Sequence, residues 1–175
     1  EAATHVGDRP WSLSRTMPSV QLLGMASAML EKPRIVRADT PAVFNNCHRH
    51  CPELLDAVKR GVRAAGALPV DFPTISLGEV FLTPTSLKYR NLMAIDTEER
   101  IRAQPMEAVV LVVGCDKTVP AQLRGAISAN RPAIGLVAGP MMTSRYQGER
   151  LGACTDCRRF WAKYRAGEVS SDEIQ

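Results

Sequence analysis

The stretch Ala108-Val109-Val110-Leu111-Val112-Val113-Gly114-Cys115-Asp116-Lys117-Thr118-Val119-Pro120 decides the fold. Its first six residues form a continuous, mostly β-branched apolar run, the pattern of a strand buried on both faces. A helix with proline near its start is predicted over Pro120 to Ala129, and a second apolar run, Ala133 to Ala138, reads as another buried strand. Strand, helix and strand in this order predict a right-handed parallel crossover.

The same alternation extends upstream. Arg34 to Ala38 reads as a short strand, and Pro52 stands at a first helical position, followed by Leu54, Leu55, Val58, Val62 and Ala65 at helical spacing, with Gly66 as terminator. Pro73 to Leu77 reads as a second strand and Ser86 to Ile95 as a second helix. Asp96 to Glu99 has the spacing of a capping box for a third helix ending near Ala103. The expected fold class is therefore α/β, a parallel sheet flanked by helices, over residues 33–175. Near the end, a helix through Phe160, Trp161 and Tyr164 would make those aromatics core, and Ser171 with its acidic neighbours reads as the cap of a further helix. Residues 1–32 stay unassigned. Ala26-Ser27-Ala28 resembles a signal-peptide cleavage site, but Gln21 and Gly24 interrupt the apolar run before it, and a poorly specified helix is the plainer reading.

Composition narrows the function. The chain has 175 residues, 45% hydrophobic and 23% charged, with twelve glycines and twelve prolines, which excludes a disordered or low-complexity chain. No apolar run is long enough to span a bilayer. The net charge of +4 is spread along the chain with only 5% aromatics, so a nucleic-acid partner is not expected. Five cysteines, Cys47, Cys51, Cys115, Cys154 and Cys157, are an odd number at low density. They point to thiols kept for metal or redox work in a reducing cytoplasm.

In an open parallel sheet, ligands bind beyond the carboxyl ends of the strands. Gly114-Cys115-Asp116-Lys117 stands at that end of the strongest strand, on a tight turn that glycine opens. A thiol, a carboxylate and an amine in succession make a ligand set, although a buried Cys, a capping Asp and a solvated Lys would give the same string. Asn45-Asn46-Cys47-His48-Arg49-His50-Cys51 and Leu77-Gly78-Glu79 would emerge at the same end. A thiolate from each of two strand ends can hold a soft metal or an iron–sulfur cluster, while Glu79 and Asp116 are hard donors suited to Mg²⁺. His48 and His50 are open as ligands, substrate contacts or hydrogen-bonded structural residues, and Cys51 as a ligand or a small buried apolar residue. Cys154-Thr-Asp-Cys157 is a C-x-x-C, half a zinc site or a redox pair. Arg158, Arg159 and Lys163 beside it would lower its thiol pKa values and offer charge to an anionic substrate.

Several separated motifs, in order, resemble the dihydroxy-acid and sugar-acid dehydratases. They are Cys47-His48-Arg49 with the segment from Pro52 to Val62, Ala64 to Glu79, Gly114-Cys-Asp-Lys-Thr-Val-Pro120, and Gly139-Pro-Met-Met142. Ile101 to Met106 and Gly152 to Gly167 are similar in particular to the pentonate branch, which dehydrates arabinonate or xylonate. The resemblance covers about residues 33–175 and implies the amino-terminal α/β domain of a hydro-lyase that converts a 2,3-dihydroxy (sugar) acid into a 2-keto-3-deoxy acid.

By that resemblance Cys47 and Cys115 correspond to two of three cysteine ligands of an iron–sulfur cluster, with 2Fe–2S favoured over 4Fe–4S. Glu79 and Asp116 correspond to ligands of a neighbouring Mg²⁺. Lys117 corresponds to a lysine that CO₂ converts into a carbamate and so into a third oxygen ligand. Lys117 and His48 are the catalytic candidates, and Arg158 and Arg159 the candidate substrate contacts. The third cluster cysteine and a base serine are expected downstream of Gln175, so this chain is expected to be incomplete and inactive alone, and the complete protein to be a homo-oligomer. Asn46 stands where the pentonate branch has proline, His50-Cys51 is unusual at its position, and residues 1–32 match nothing in the family's start. The alternatives are a non-catalytic relative that binds a metal or metabolite, and a redox or zinc module built on Cys154 and Cys157.

Overall fold

The computed structural model describes Met29 and residues 32–39, 42–104, 106–139, 142–152 and 155–174. Its main sheet has four parallel strands, β1 (Arg34–Asp39), β2 (Leu68–Pro73), β3 (Ala108–Val113) and β4 (Ala133–Val137), in the order β2-β1-β3-β4. Helix α1 (Cys51–Ala64) connects β1 to β2, α2 (Arg90–Ala103) precedes β3, and α3 (Thr118–Ser128) connects β3 to β4. A short antiparallel hairpin, β5 (Ser144–Tyr146) and β6 (Glu149–Leu151), leads to α4 (Thr155–Arg165) and a final turn, α5 (Ser171–Ile174). The expected α/β class with a parallel sheet is what the chain adopts.

The apolar run of β3 is explained by what lies on each side of it. Val109, Leu111 and Val113 join Val36, Ala38, Phe72, Ile101, Met106 and Ala126 in the larger core cluster, which includes residues of α2 and α3. Val112, one step out of phase, packs with Cys51 and Leu55 of α1, and Val110 flanks that cluster. Alternate residues of a strand point to opposite faces, so helices cover the sheet on both sides. Each large apolar side chain buried here is worth about 1.5–3 kcal/mol.

Two polar features lock this framework. Arg37 of β1, 1% exposed, donates to the Leu55 carbonyl of α1 and pairs with Asp71 of β2, which also receives Lys59 of α1 at 2.9 Å. Gly125 lets α3 approach α2, because a Cβ there would lie 2.6 Å from the Ala94 carbonyl oxygen and 2.8 Å from the Thr97 Cβ.

Several boundaries differ from the sequence expectation. The second strand is Leu68–Pro73 rather than Pro73 to Leu77: Gly66, at φ +80°, ends the turn after α1, and the chain enters β2 two residues later. Leu68 then pairs with Arg34, and Pro73 closes the strand opposite Asp39. The helices expected over Ser86 to Ile95 and from Asp96 onward are one helix, α2, preceded by a 3₁₀ turn at Ser86–Tyr89. Asp96 does not cap. Its carboxylate accepts the Ile75 N–H at 3.2 Å and Arg100 Nε at 2.7 Å, so the apparent capping box is a mid-helix acid holding the loop after β2.

The second apolar strand is not buried. β4 pairs only with β3 among the described residues, leaving Ile134 66% and Val137 55% exposed. The aromatics of α4 are not core either, since no residue of that helix is buried. Phe160 instead packs edge-on against Tyr146 of the hairpin, and Trp161 against Tyr164. The cap of α5 is Ser170, whose N–H and hydroxyl donate to Glu173 Oε2 at 2.8 and 3.0 Å, rather than Ser171. Ala26-Ser27-Ala28 lies outside the described residues.

Candidate active site

The loops that follow β1, β2 and β3 meet at the carboxyl end of the sheet because glycines allow their backbones to touch. A Cβ on Gly78 would run into the Phe44 carbonyl oxygen. One on Gly114 would lie 2.9 Å from the Cys47 carbonyl oxygen and 2.9 Å from His48 Cδ2. Gly114 is thus required for space and not for its backbone angles. The residue in the left-handed region is Cys115, at φ +68°. A non-glycine side chain held there is uncommon and concentrates at functional sites.

Cys47 and Cys115 come together across these loops. Burial first, then hydrogen bonding with the Cys47 thiol, pushes the Cys115 thiol up to about 12, partly opposed by the positive charge of Lys117. The Cys115 S–H also donates to Asn45 Oδ1 at 3.4 Å. Cys47 rides on a 3₁₀ turn at Asn46–His48 and, like Cys115, is a half-buried free thiol.

His48 is completely buried. Its Nδ1 is 2.7 Å from Ser76 Oγ and 3.1 Å from Asn45 Nδ2, and its Nε2 is 2.9 Å from the Gly114 carbonyl oxygen. The Gly114 N–H also points at Nε2, at 3.2 Å, so both tautomers keep the ring bonded to Gly114 through Nε2 and to Ser76 through Nδ1.

Glu79 opens a 3₁₀ turn, Glu79–Phe81, after β2. Ser86 donates to its Oε2 through the backbone N–H at 2.8 Å and through the hydroxyl. These bonds hold the carboxyl at about 2, well below its ordinary value, with Thr85 and the charge of Lys117 acting in the same direction. Its Oε1 is 3.8 Å from Arg158 of α4. Lys117, 2% exposed, stands just before α3 and acts electrostatically on both Glu79 and Cys115. Asp116 is exposed, and its carbonyl accepts from Arg90 at 3.2 Å. Among the described residues, no three His, Cys, Asp or Glu side chains gather closely enough to hold an ion by themselves.

The remaining candidates divide. Arg158 reaches Glu79, whereas Arg159 is occupied by Glu149 at 2.7 Å and Asp156 at 3.0 Å. Cys51 is buried in the apolar cluster beneath α1, and His50 donates to the Ala138 carbonyl at 3.0 Å, joining the first loop to the end of β4. Cys157 is exposed on α4, and Cys154 lies outside the described residues. Asn45, Ser76 and Ser86 carry contacts to these groups that the sequence pattern does not assign to them. A Thr85-Ser86 pair ahead of a helix signals a cap, but nothing in sequence shows that Ser86 turns back onto Glu79.

The arrangement is a pair of neighbouring thiols beside a carboxylate and a buried lysine at the strand ends of a parallel sheet. The model of the dihydroxy-acid/6-phosphogluconate dehydratase N-terminal family matches residues 32–175, and the chain belongs to that family. Among its relatives, L-arabinonate dehydratase of Rhizobium leguminosarum bv. trifolii is 42% identical over 82% of this chain and 25% of its own length. 6-Deoxy-6-sulfo-D-gluconate dehydratase of Pseudomonas putida is 41% identical over 80% of this chain and 24% of its own. L-Arabonate dehydratase of Azospirillum brasilense is 38% identical over 92% and 26%. The chain spans about a quarter of the length of these curated relatives.

Proposed function

We propose that this chain is the cofactor-binding part of a hydro-lyase that removes water from a 2,3-dihydroxy sugar acid, giving a 2-keto-3-deoxy acid in a reducing, cytoplasmic setting. The observation that carries this reading is the convergence of Cys47 and Cys115, from the ends of β1 and β3, beside Glu79 and Lys117. The relatives named for arabinonate and sulfogluconate dehydration support the substrate class.

The residues fit the groups such chemistry requires. Cys47 and Cys115 would supply two thiolates to an iron–sulfur cluster, of the 2Fe–2S type in this reading. Glu79, with Oε2 held by Ser86, keeps Oε1 for a hard cation such as Mg²⁺. Among the described residues Cys, His, Asp and Glu alone gather no third donor, so in this reading Lys117 would complete the set as a carbamate, its amine adding CO₂ and releasing a proton to solvent, with Asp116 as the remaining carboxylate.

Dehydration must remove a weakly acidic proton from C2 and release hydroxide from C3. The two inorganic groups, when bound, supply Lewis acidity at the C3 hydroxyl and at the oxygens flanking C2. This chain's own side chains bind and orient. Glu79 and Asp116 set the cation's place, and Arg158, exposed and within 3.8 Å of Glu79, offers its charge to the substrate carboxylate there. None of these side chains is assigned as the base that takes the C2 proton.

The test uses the chain expressed with whatever sequence follows it in its gene, purified anaerobically. Cys115→Ser should abolish both the visible iron–sulfur absorption and sugar-acid dehydration. Glu79→Gln should keep the absorption and lose Mg²⁺-dependent turnover. Full dehydration activity in either variant would refute the roles assigned.

A further inference from the structure

We propose that His48 is the positioning residue of the thiol pair: its ring clamps the loop carrying Cys47 to the turn carrying Cys115 and sets the distance between the two sulfurs. This rests on the proposed function only in taking Cys47 and Cys115 as the ligands that matter.

The geometry makes His48 a bridge between loops 66 residues apart in sequence. Nε2 lies 2.9 Å from the Gly114 carbonyl oxygen and 3.2 Å from the Gly114 backbone N, one residue before Cys115, while the backbone of His48 continues directly from Cys47. Its other nitrogen is held from the loop after β2, where Ser76 Oγ lies at 2.7 Å, and from within its own loop by the Asn45 amide at 3.1 Å. Asn45 closes the circuit by accepting the Cys115 S–H through Oδ1. One ring therefore contacts the segments that follow β1, β2 and β3.

Three observations argue for positioning over proton transfer. The ring is 0% exposed, so no substrate atom reaches it. Both nitrogens are engaged with protein groups, leaving neither for a substrate. Gly114 has no room for a side chain against Cδ2 and Nε2 of the ring, so the turn is packed against the imidazole as well as bonded to it. Cys115, held at φ +68°, needs such external support, because that backbone region costs a side-chain-bearing residue of order 1 kcal/mol or more. Metal-site precedent in general chemistry favours this division of labour, since groups outside the ligand shell commonly orient the ligands.

Cadmium ion is a suitable probe, because it reports two adjacent thiolates without needing the cluster. In a chain with Cys154→Ser and Cys157→Ser, Cd²⁺ should bind with a thiolate-to-metal ultraviolet absorption that Cys115→Ser removes. A chain lacking a Cys115-dependent signal would overturn the clamp at once. His48→Ala should weaken Cd²⁺ tenfold or more in competition with a chelator. His48→Gln should recover most of that loss, because its amide nitrogen stands as many bonds from Cβ as Nε2 does and can donate to Gly114. Equal Cd²⁺ affinity in His48→Ala and the parent would overturn the proposal. So would a folded His48→Gln as impaired as His48→Ala, since ring volume alone would then be responsible. If His48→Ala does not fold, Ser76→Ala takes its place: it keeps the ring, removes one hydroxyl from Nδ1, and should weaken Cd²⁺ about threefold, an unchanged affinity again overturning the clamp. Intact Cd²⁺ behaviour with no iron–sulfur absorption after reconstitution would leave the clamp standing and remove the cluster assignment alone.

Discussion

Ser86 donates both its backbone N–H, at 2.8 Å, and its hydroxyl to the same oxygen of Glu79, Oε2. This holds the carboxylate in one orientation and turns Oε1 toward Arg158. Ser86 is fully buried, so the pairing excludes water on that side. Ser86→Ala removes the hydroxyl and keeps the N–H. Hydrogen bonds to a charged group are worth about 1.5–3 kcal/mol, so Mg²⁺-dependent turnover should fall roughly tenfold or more, with iron–sulfur absorption unchanged. Titration of turnover with Mg²⁺ reads this, and an unchanged Mg²⁺ requirement would show that Ser86 does not orient Glu79.

The glycines separate crowded from open positions. Gly114→Ala places a Cβ 2.9 Å from the Cys47 carbonyl and the His48 ring, and should cost about 1–3 kcal/mol in urea unfolding. Gly61, in the last turn of α1, has nothing within 4 Å of where a Cβ would stand, so Gly61→Ala should stabilise by about 0.5–1 kcal/mol. Opposite signs for the two variants are the expected result.

Acid sensitivity should come partly from Glu107, at the start of β3. Burial pushes its carboxyl up, but bonds from the Arg34 backbone N–H at 2.7 Å and guanidinium at 2.6 Å outweigh it and hold the group below its ordinary value of 4.5. A carboxyl depressed on folding contributes its full stability above the unfolded value and loses it as pH falls through the folded value. The urea midpoint should therefore drop as pH falls below the ordinary carboxyl value of 4.5. Glu107→Gln should lower the midpoint at pH 7 and flatten that acid limb. An equally steep limb in the variant would remove Glu107 from the account.

The two adjacent arginines of α4 should behave differently. Arg159 ties the helix to Glu149 of β6, so Arg159→Ala should speed amide exchange in the hairpin, residues 144–151, without moving the unfolding midpoint of the main sheet. Arg158, 69% exposed, makes one loose pair, and exposed pairs contribute about 0–1 kcal/mol. Arg158→Ala should leave stability near wild type and raise the KM for the sugar acid severalfold. Hydrogen-exchange mass spectrometry and steady-state kinetics distinguish them, and identical phenotypes would dissolve the assignment.

The main sheet was legible because a strand buried between two helical layers must be apolar at every position, which is how Ala108–Val113 reads. Gly114-Cys115-Asp116-Lys117 was legible for a related reason, since parallel topology sends the residues after each strand to one edge. The place of β2 was not, since the strand expected over Pro73 to Leu77 shares only Pro73 with it, and the start of α2 was not, because Asp96 has the local chemistry of a cap and spends it on Ile75 instead. Nor was the exposure of β4, whose apolar residues look the same whether or not a layer covers them.

By itself the sequence determined the α/β class and the residue types available at the strand ends. Those follow from periodicity and from chain order, both local properties. Tertiary structure alone decided which groups act on one another: that His48 bonds to Gly114 and Ser76, that Ser86 turns onto Glu79, and that Arg158 faces the site while Arg159 does not. These contacts join residues up to 79 positions apart. They depend on how closely the backbones can approach, which glycines such as Gly78 and Gly114 permit and no local pattern specifies.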